Sequence, residues 1–261
     1  MEIYKLLEKV RRDRPIIHYI TNLVTMNDCA SLVKILGGFP LMTHAREEAE
    51  TMTKYSSALV LDIGTLEARV AEAMKSSAVV ANSMGIPVIL DICGVGASRF
   101  RDDKAMEIAA ETRIDLIKGN IREIAKFSGK QIRLKSIDPV MVLGRAVELA
   151  VGFSKQRKCT VVIAGNPSVV AGAGKHFVVK NGHDMLSQVV GAGSMGTAVI
   201  GAFAAVEKDL ALAAVAGLCC YRIAAELAAA ESRGPAVFKM NMLDNLYQLT
   251  EDQIEKMRRI E

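Results

Sequence analysis

Little in this sequence commits it to nucleic acid, to zinc or to a membrane. The formal net charge is only +4 over 261 residues. There is no basic cluster and no patch of interleaved aromatics, so the electrostatic footprint of a nucleic-acid binder is missing. The run Arg11-Arg12-Asp13-Arg14 reads as a solvated loop. Five cysteines, at 29, 93, 159, 219 and 220, form an odd and unpatterned set with no C-x-x-C spacing. That argues against a structural zinc framework and suits a reducing compartment. Glu2, Lys5, Glu8 and Lys9 interrupt the apolar residues of the N-terminus, which is no signal peptide. Residues 189–206 carry no charge and just reach bilayer length. They are rich in Gly, Ser, Thr and Ala without a flanking basic cluster, which predicts a buried helix. With no repeat, linker or low-complexity segment, one cytoplasmic domain with neither nucleic-acid nor membrane partners is expected.

What is present is an alternation of periods. Ile3, Leu6, Leu7 and Val10 at helical spacing predict an amphipathic helix over 2–12, and Ile16-Ile17-His18-Tyr19-Ile20 a strand leading into Thr21-Asn22. A helix over 26–36, stopped by Gly37-Gly38, a short strand over 40–42 and a helix over 47–53 follow. Residues 58–63 form a continuous apolar strand, 66–84 a helix ended by Gly85, and 87–91 a second buried strand. Next come a helix over 102–111, a strand over 116–118, a short helix through Glu123, a loop around Ser136-Ile137-Asp138-Pro139, a helix over 140–155 and a strand over 160–164. Residues 177–179 add a short strand, and Ala-rich helices after 194 cover the sheet. Continuous apolar strands between helices specify an α/β fold whose mostly parallel central sheet is flanked by helices on both faces.

The stretch from Val189 through Thr197 reads Val-Val-Gly-Ala-Gly-Ser-Met-Gly-Thr. Its glycines allow a tight turn and a close backbone approach to a ligand. A helix starting near Ser194 would aim unpaired amides and a positive dipole end over that loop, making an anion hole that suits phosphate. A glycine-rich helix packed closely on its neighbours is the equal alternative. Ligands of such sheets bind beyond the carboxyl ends of the strands. There lie Asn22, Asp62 with Gly64, Asp91 with Gly94, Lys118-Gly119-Asn120 with Glu123, and Gly165-Asn166. A phosphate hole, carboxylates for Mg²⁺ and a lysine are the parts phosphoryl transfer requires, so the residues alone suggest a nucleotide-using transferase.

Taken in order, the segments resemble the hydroxyethylthiazole kinase family of the ribokinase-like fold. The resemblance runs through Ile20-Thr21-Asn22, Gly37-Gly38-Phe39-Pro40-Leu41-Met42, and Ala58-Leu59-Val60-Leu61-Asp62-Ile63-Gly64-Thr65-Leu66. It continues in Gly85-Ile86-Pro87-Val88-Ile89-Leu90-Asp91 with Gly94-Val95-Gly96-Ala97, Lys118-Gly119-Asn120 with Glu123, Asn181-Gly182-His183, Gly191-Ala192-Gly193 and Gly234-Pro235. The resemblance implies phosphorylation of the hydroxyethyl arm of 4-methyl-5-(2-hydroxyethyl)thiazole by MgATP, in thiamine biosynthesis or salvage. It also implies a homotrimer with active sites at subunit interfaces.

Carried over by position, the resemblance assigns thiazole binding to Asn22, Met42 and the Gly191 and Gly193 backbone. It assigns nucleotide contacts to Lys118, Asn120 and Ala164, and the Mg²⁺ side to Asp91 and Glu123. Catalysis falls to Gly191, Ala192, Gly193 and Ser194. A polarizable methionine fits a flat sulfur heterocycle, although Met42 as plain core filler is at least as common. For Asp91 and Glu123 the competing role is capping a turn or helix. The histidines at 18, 44, 176 and 183 read as structural, with only His183 near the loop.

The departures from the family pattern are chemical. Val190 stands where the loop usually has threonine, Ser194 where it has cysteine or aspartate, Ala164 where threonine is common, and Lys118 where arginine is usual. Cys93 and Ile92 replace the valine and proline of a usual Asp-Pro-Val-Gly. Lysine keeps the charge of arginine but loses its bidentate fork. Serine is a poor base near neutral pH, so a slow kinase is expected, with Ser194 holding the substrate hydroxyl and capping the helix. A kinase of another small alcohol, or a non-catalytic homologue that binds thiazole or nucleotide, are the competing readings.

Overall fold

A computed structural model describes residues 2–130 and 139–261. The first half builds the parallel sheet from α1 (Ile3–Asp13), β1 (Ile16–Ile20), α2 (Met26–Ile35), β2 (Phe39–Met42), α3 (Arg46–Thr53), β3 (Ala58–Asp62), α4 (Ala68–Met84) and β4 (Val88–Asp91). α5 (Arg99–Glu111), β5 (Leu116–Asn120), α6 (Ile121–Phe127), α7 (Pro139–Arg157) and β6 (Thr160–Ala164) continue it. β7 (Ser168–Gly172) and β8 (Lys175–Val179) then lead through a 3₁₀ turn at Asp184–Gln188 to α8 (Ala192–Ala204), α9 (Leu210–Ala230), α10 (Pro235–Gln248) and α11 (Glu251–Met257).

All eight strands join one sheet in the order β2-β1-β3-β4-β5-β6-β7-β8. β1 to β6 pair in parallel, and β7 and β8 are antiparallel. Successive side chains of one strand point to opposite faces. Ala58 and Val60 therefore join one core with α1, α2, α8 and α9, while Leu59 and Leu61 join the other with α4 to α7. Leu210–Ala230 has the length and hydropathy of a membrane span, but it is largely buried inside the protein as a core helix. All five cysteines are free thiols.

The expected elements form, with shifted ends. α5 begins three residues before the expected 102, because the Ser98 hydroxyl accepts from the Arg101 amide at its N-cap. β7 is an element the apolar periodicity missed. It turns into β8 through Ala173 and Gly174, at φ of 50° and 76°. Two positive φ values at the centre of a two-residue hairpin favour Asn-Gly, so an alanine there hides the turn from sequence. The loop expected at Ser136-Ile137-Asp138 lies outside the described residues. Gly201 lets α8 lie close on the sheet, since a Cβ there would meet Val60 Cγ2 at 2.6 Å.

His18 confirms a structural role. Its Nδ1 faces Thr53 Oγ1 at 2.9 Å and its Nε2 faces Thr43 Oγ1 at 2.7 Å. Thr53 already donates to Ala49 O, so it accepts from Nδ1–H, which leaves Nε2 to accept from Thr43. The ring is therefore held neutral, and burial lowers its pKa to about 4. Below the unfolded value of about 6.5, only the unfolded chain takes up this proton. Stability should then fall by up to about 1.4 kcal/mol per pH unit until pH approaches the folded value. Denaturant titrations at pH 7, 6 and 5 should show that slope in the parent and a shallower one in His18→Gln; equal slopes would contradict it.

Candidate active site

The order of the strands reverses between β1 and β3, because the chain goes outward to β2 and then returns. The carboxyl ends of strands at such a switch point form a crevice. Here that crevice receives Thr21 and Asn22 from the end of β1 and Asp62 from the end of β3. In register across the sheet, Asp62 stands opposite Asp91 and Asp91 opposite Lys118. All three are buried, with Asp62 at 0%, Asp91 at 2% and Lys118 at 3% exposure.

Such burial is tolerated only with partners. Lys118 Nζ donates to Asp91 Oδ2 at 2.8 Å, and the Thr197 hydroxyl donates to the same oxygen. Burial alone would lower the Lys118 pKa, but Asp91 and, more weakly, Asp62 hold it above the ordinary lysine value. The ammonium stays charged at any working pH. Asp62 Oδ1 accepts from Gly64 N at 2.9 Å, and its Oδ2 from Thr21 Oγ1 at 3.0 Å and Asn22 Nδ2 at 2.8 Å. Burial and the Asp91 charge nevertheless raise the Asp62 carboxyl above its ordinary value.

The glycine loop meets this row from above. Gly191 has φ of 78° and forms the N-cap of α8, so the helix starts earlier than the expected Ser194. Ser194 therefore sits in the first turn and does not cap it, which corrects the expected capping role. The first intrahelical bond runs from Met195 N to Gly191 O, and the amides of Gly193 and Ser194 precede it. Tyr19 donates to Ser194 O at 3.1 Å and Tyr221 to Ala192 O at 3.0 Å, fixing that turn. Ser194 Oγ lies 3.5 Å from Asn22 Nδ2. Met42 ends the edge strand, in register with Tyr19, and is half-buried. Asn22 and Ser194 thus meet beyond the end of β1, and Met42 ends the neighbouring strand.

A cavity of about 320 Å³ opens on the other side of the loop. Lys118, Ala164, Ala192 and Gly193 line it, joined by His183 and Arg222. Its volume lies within the range of small-molecule sites. Arg222 is 8% exposed, and its guanidinium donates to Asn181 O at 2.7 Å and to Gly165 O. Among the described residues it forms no ion pair, so its charge remains for an anionic ligand. The lone Arg222 and Glu226 in the otherwise apolar α9 were the readable signal for this site. Asn120 is not among the lining residues; its side-chain oxygen accepts from Arg122 N and Glu123 N as the N-cap of α6.

The two carboxylates expected to face Mg²⁺ are occupied. Glu123 Oε1 accepts from Gly94 N at 2.8 Å and Oε2 from Asn120 N at 2.7 Å, so the capping role is realised. Burial, countered by these amides, keeps the Glu123 carboxyl above its ordinary value. No group of three or more His, Cys, Asp or Glu ligands forms among the described residues. The donor set fits an ion that arrives on phosphate oxygens and keeps several waters, not a caged one.

The loop glycines differ in what they exclude. A Cβ on Gly191 would lie 2.0 Å from Thr25 Cγ2, whereas one on Gly193 would meet Lys118 Nζ at an ordinary 3.9 Å. Gly191→Ala should lose about 1–3 kcal/mol of stability from overpacking. Gly193→Ala should fold as stably as the parent, to within about 1 kcal/mol. It places a methyl between the helix amides and Lys118, and should weaken ADP binding by about tenfold or more. Thermal melts and calorimetric titration with ADP check both; equal melting losses in the two variants would contradict the geometry.

Residues 7–252 match the hydroxyethylthiazole kinase family. The chain is 41% identical over 255 residues to hydroxyethylthiazole kinase of Methanosarcina acetivorans, covering 98% of each. It is 42% identical to that of Methanosarcina mazei, with the same coverage. The solved hydroxyethylthiazole kinase protein from Pyrococcus horikoshii matches with a TM-score of 0.91 at 34% identity, covering 99% of this chain and 98% of that one. A ribokinase-like superfamily protein from Enterococcus faecalis, at 11% identity and a TM-score of 0.67 over 95% of both chains, shares the fold alone. With its sheet, switch-point crevice and glycine loop in these positions, the chain belongs to the hydroxyethylthiazole kinase family and has the ribokinase-like α/β fold.

Proposed function

We propose that this protein transfers the γ-phosphoryl group of ATP to the hydroxyl of 4-methyl-5-(2-hydroxyethyl)thiazole, in thiamine biosynthesis or salvage. One observation carries the reading: the first turn of α8 stands between a cavity and a group of polar side chains at the end of β1. On one side the Gly193 backbone faces Lys118 and the cavity with Arg222. On the other side Ser194 Oγ meets Asn22, with Met42 at the neighbouring strand end. A donor phosphate in the first and an alcohol in the second would meet at the helix N-terminus.

Phosphoryl transfer depends mainly on positioning and on stabilising charge. The free amides of Gly193 and Ser194 and the dipole of α8 would receive γ-phosphate oxygens. Lys118, fixed by Asp91, would offset charge moving toward the leaving oxygen, and Arg222 would hold the phosphate chain from the α9 side. Ser194 would orient the alcohol, with Asn22 fixing the serine. Mg²⁺, when bound, would neutralise phosphate charge, with Asp91 and Glu123 holding it through waters. Family resemblance also implies a homotrimer. Leu23 at 69%, Val24 at 62% and Val190 at 72% exposure border the thiazole side, and a second subunit over them would bury that surface.

A coupled ADP-release assay with micromolar enzyme, MgATP and hydroxyethylthiazole tests the reading. ADP release that depends on the thiazole is expected, and ligand binding without turnover would exclude the kinase assignment. Placing a carboxylate at the alcohol should also help, because a positioned base contributes about 10²–10⁴-fold. Ser194→Asp is expected to raise kcat about tenfold or more; an unchanged or lower kcat means the missing base does not limit the rate.

A further inference from the structure

A second recess lies at the opposite end of the sheet from the strand ends that carry Asn22 and Lys118. Its volume of about 940 Å³ falls within the range of small-molecule sites. Thr160, the first residue of β6, lies in its wall, whereas Ala164 at the other end of β6 lines the cavity beside Lys118. At about 3.3 Å per residue, the strand holds the two about 13 Å apart. The recess is therefore no part of the crevice assigned to phosphoryl transfer.

Lys155 and Lys158 come to it from the end of α7 and the turn that follows, Lys175 from the start of β8 and Lys208 from the turn before α9. All four are exposed, and among the described residues none forms an ion pair. The carboxylates of the same wall are engaged. Asp115 accepts from Arg113 Nε and Val88 N, both at 2.9 Å. Asp209 Oδ1 accepts from Ala211 N at 3.0 Å and Leu212 N at 3.2 Å. Thr160 adds a polar group of a different kind. It is only 7% exposed, and its amide donates to Asp115 O, yet its hydroxyl finds no hydrogen-bond partner among the described residues. Buried hydroxyls are normally paired. β7 leaves this one uncovered, because a Cβ on Gly172 would stand 2.7 Å from Thr160 Oγ1 and the glycine has none.

We propose that this recess binds a small anion with a diphosphate group, its charge offset by the lysines and one phosphate oxygen accepting from the Thr160 hydroxyl. Arg113 cancels Asp115 and one lysine cancels Asp209, which leaves three lysine charges for a ligand. A single phosphate group brings at most about two negative charges at neutral pH, so two groups match the wall better than one. Lysine binds phosphate as a point charge and sets no register of its own. The buried hydroxyl sets it. Val151, Ala171 and Leu210 give the recess an apolar side on which an ester group would rest.

The experiment is a calorimetric titration of the whole chain with inorganic pyrophosphate, without Mg²⁺ and with ADP saturating the cavity beside Lys118. Saturable binding is expected. It should weaken about tenfold or more in the double variant Lys158→Asn, Lys175→Gln. Asparagine suits position 158, where φ is 54°. Thr160→Val, which keeps the shape and suits a strand, should weaken it about threefold or more. Melting temperature and ADP affinity should stay at the parent's values in both variants. Ethyl diphosphate binding more tightly than pyrophosphate would assign the site to an ester, and more weakly to the inorganic anion; both results keep the proposal. No saturable binding would overturn it. So would a loss in the lysine variant with none in Thr160→Val, since that is diffuse attraction to surface lysines without a site. Thiazole-dependent ADP release is measured separately, so neither failure bears on the kinase reading.

Discussion

The site depends on three charges held out of water in one row across the strand ends. Asp62, Asp91 and Lys118 sit in register on neighbouring strands, where desolvation costs several kcal/mol for each ion before pairing. Such a row contributes little to stability compared with a packed apolar one. What it supplies is fixed charge where a phosphate and an alcohol would meet. The 2.8 Å contact between Lys118 and Asp91 keeps the ammonium charged, and the surplus carboxylate, Asp62, holds Asn22 in place. α8 follows from the same constraint. Tyr19 and Tyr221 bind its first carbonyls, so that its amides point over the row.

Much of this was legible in the sequence, for physical reasons. Continuous apolar strands separated by helices leave few arrangements besides a covered parallel sheet, and the polar residues that end those strands mark its functional edge. Asn22, Asp91, Lys118 and Gly191 all fall at that edge, where their positions along the chain put them. What sequence could not supply is partnership. Nothing in the spacing says that Glu123 spends both oxygens on Gly94 and Asn120 amides, or that Asn120 turns toward its own helix. Arg222 stands in an apolar helix whose composition reads as sheet cover, so that only its charge, with that of Glu226, marks it. β7 was hidden because Ala173 adopts a φ that sequence rules assign to asparagine or glycine.

The substitutions that separate this loop from the usual family pattern have unequal consequences. Val190 is 72% exposed, so its missing hydroxyl leaves no buried group without a partner. Ala164 lines the 320 Å³ cavity without a polar atom of its own side chain, which leaves that wall to Arg222, Asn166 and backbone. Ser194 is the substitution with chemical weight. It stands in the first turn of α8, near Asn22, and exchanges a titratable loop residue for a hydroxyl. Lys118 exchanges a fork for a point charge, and its pairing with Asp91 supplies the orientation a guanidinium would have carried in its own shape.

The most direct measurement of the central claim is a crystal structure with a non-hydrolysable ATP analogue and hydroxyethylthiazole bound together. The account predicts the terminal phosphate on the amides that open α8, facing Lys118, with the alcohol oxygen hydrogen-bonded to Ser194 Oγ and the thiazole between Asn22 and Met42. An alcohol oxygen turned away from Ser194, or a phosphate chain that avoids the α8 N-terminus, would contradict it.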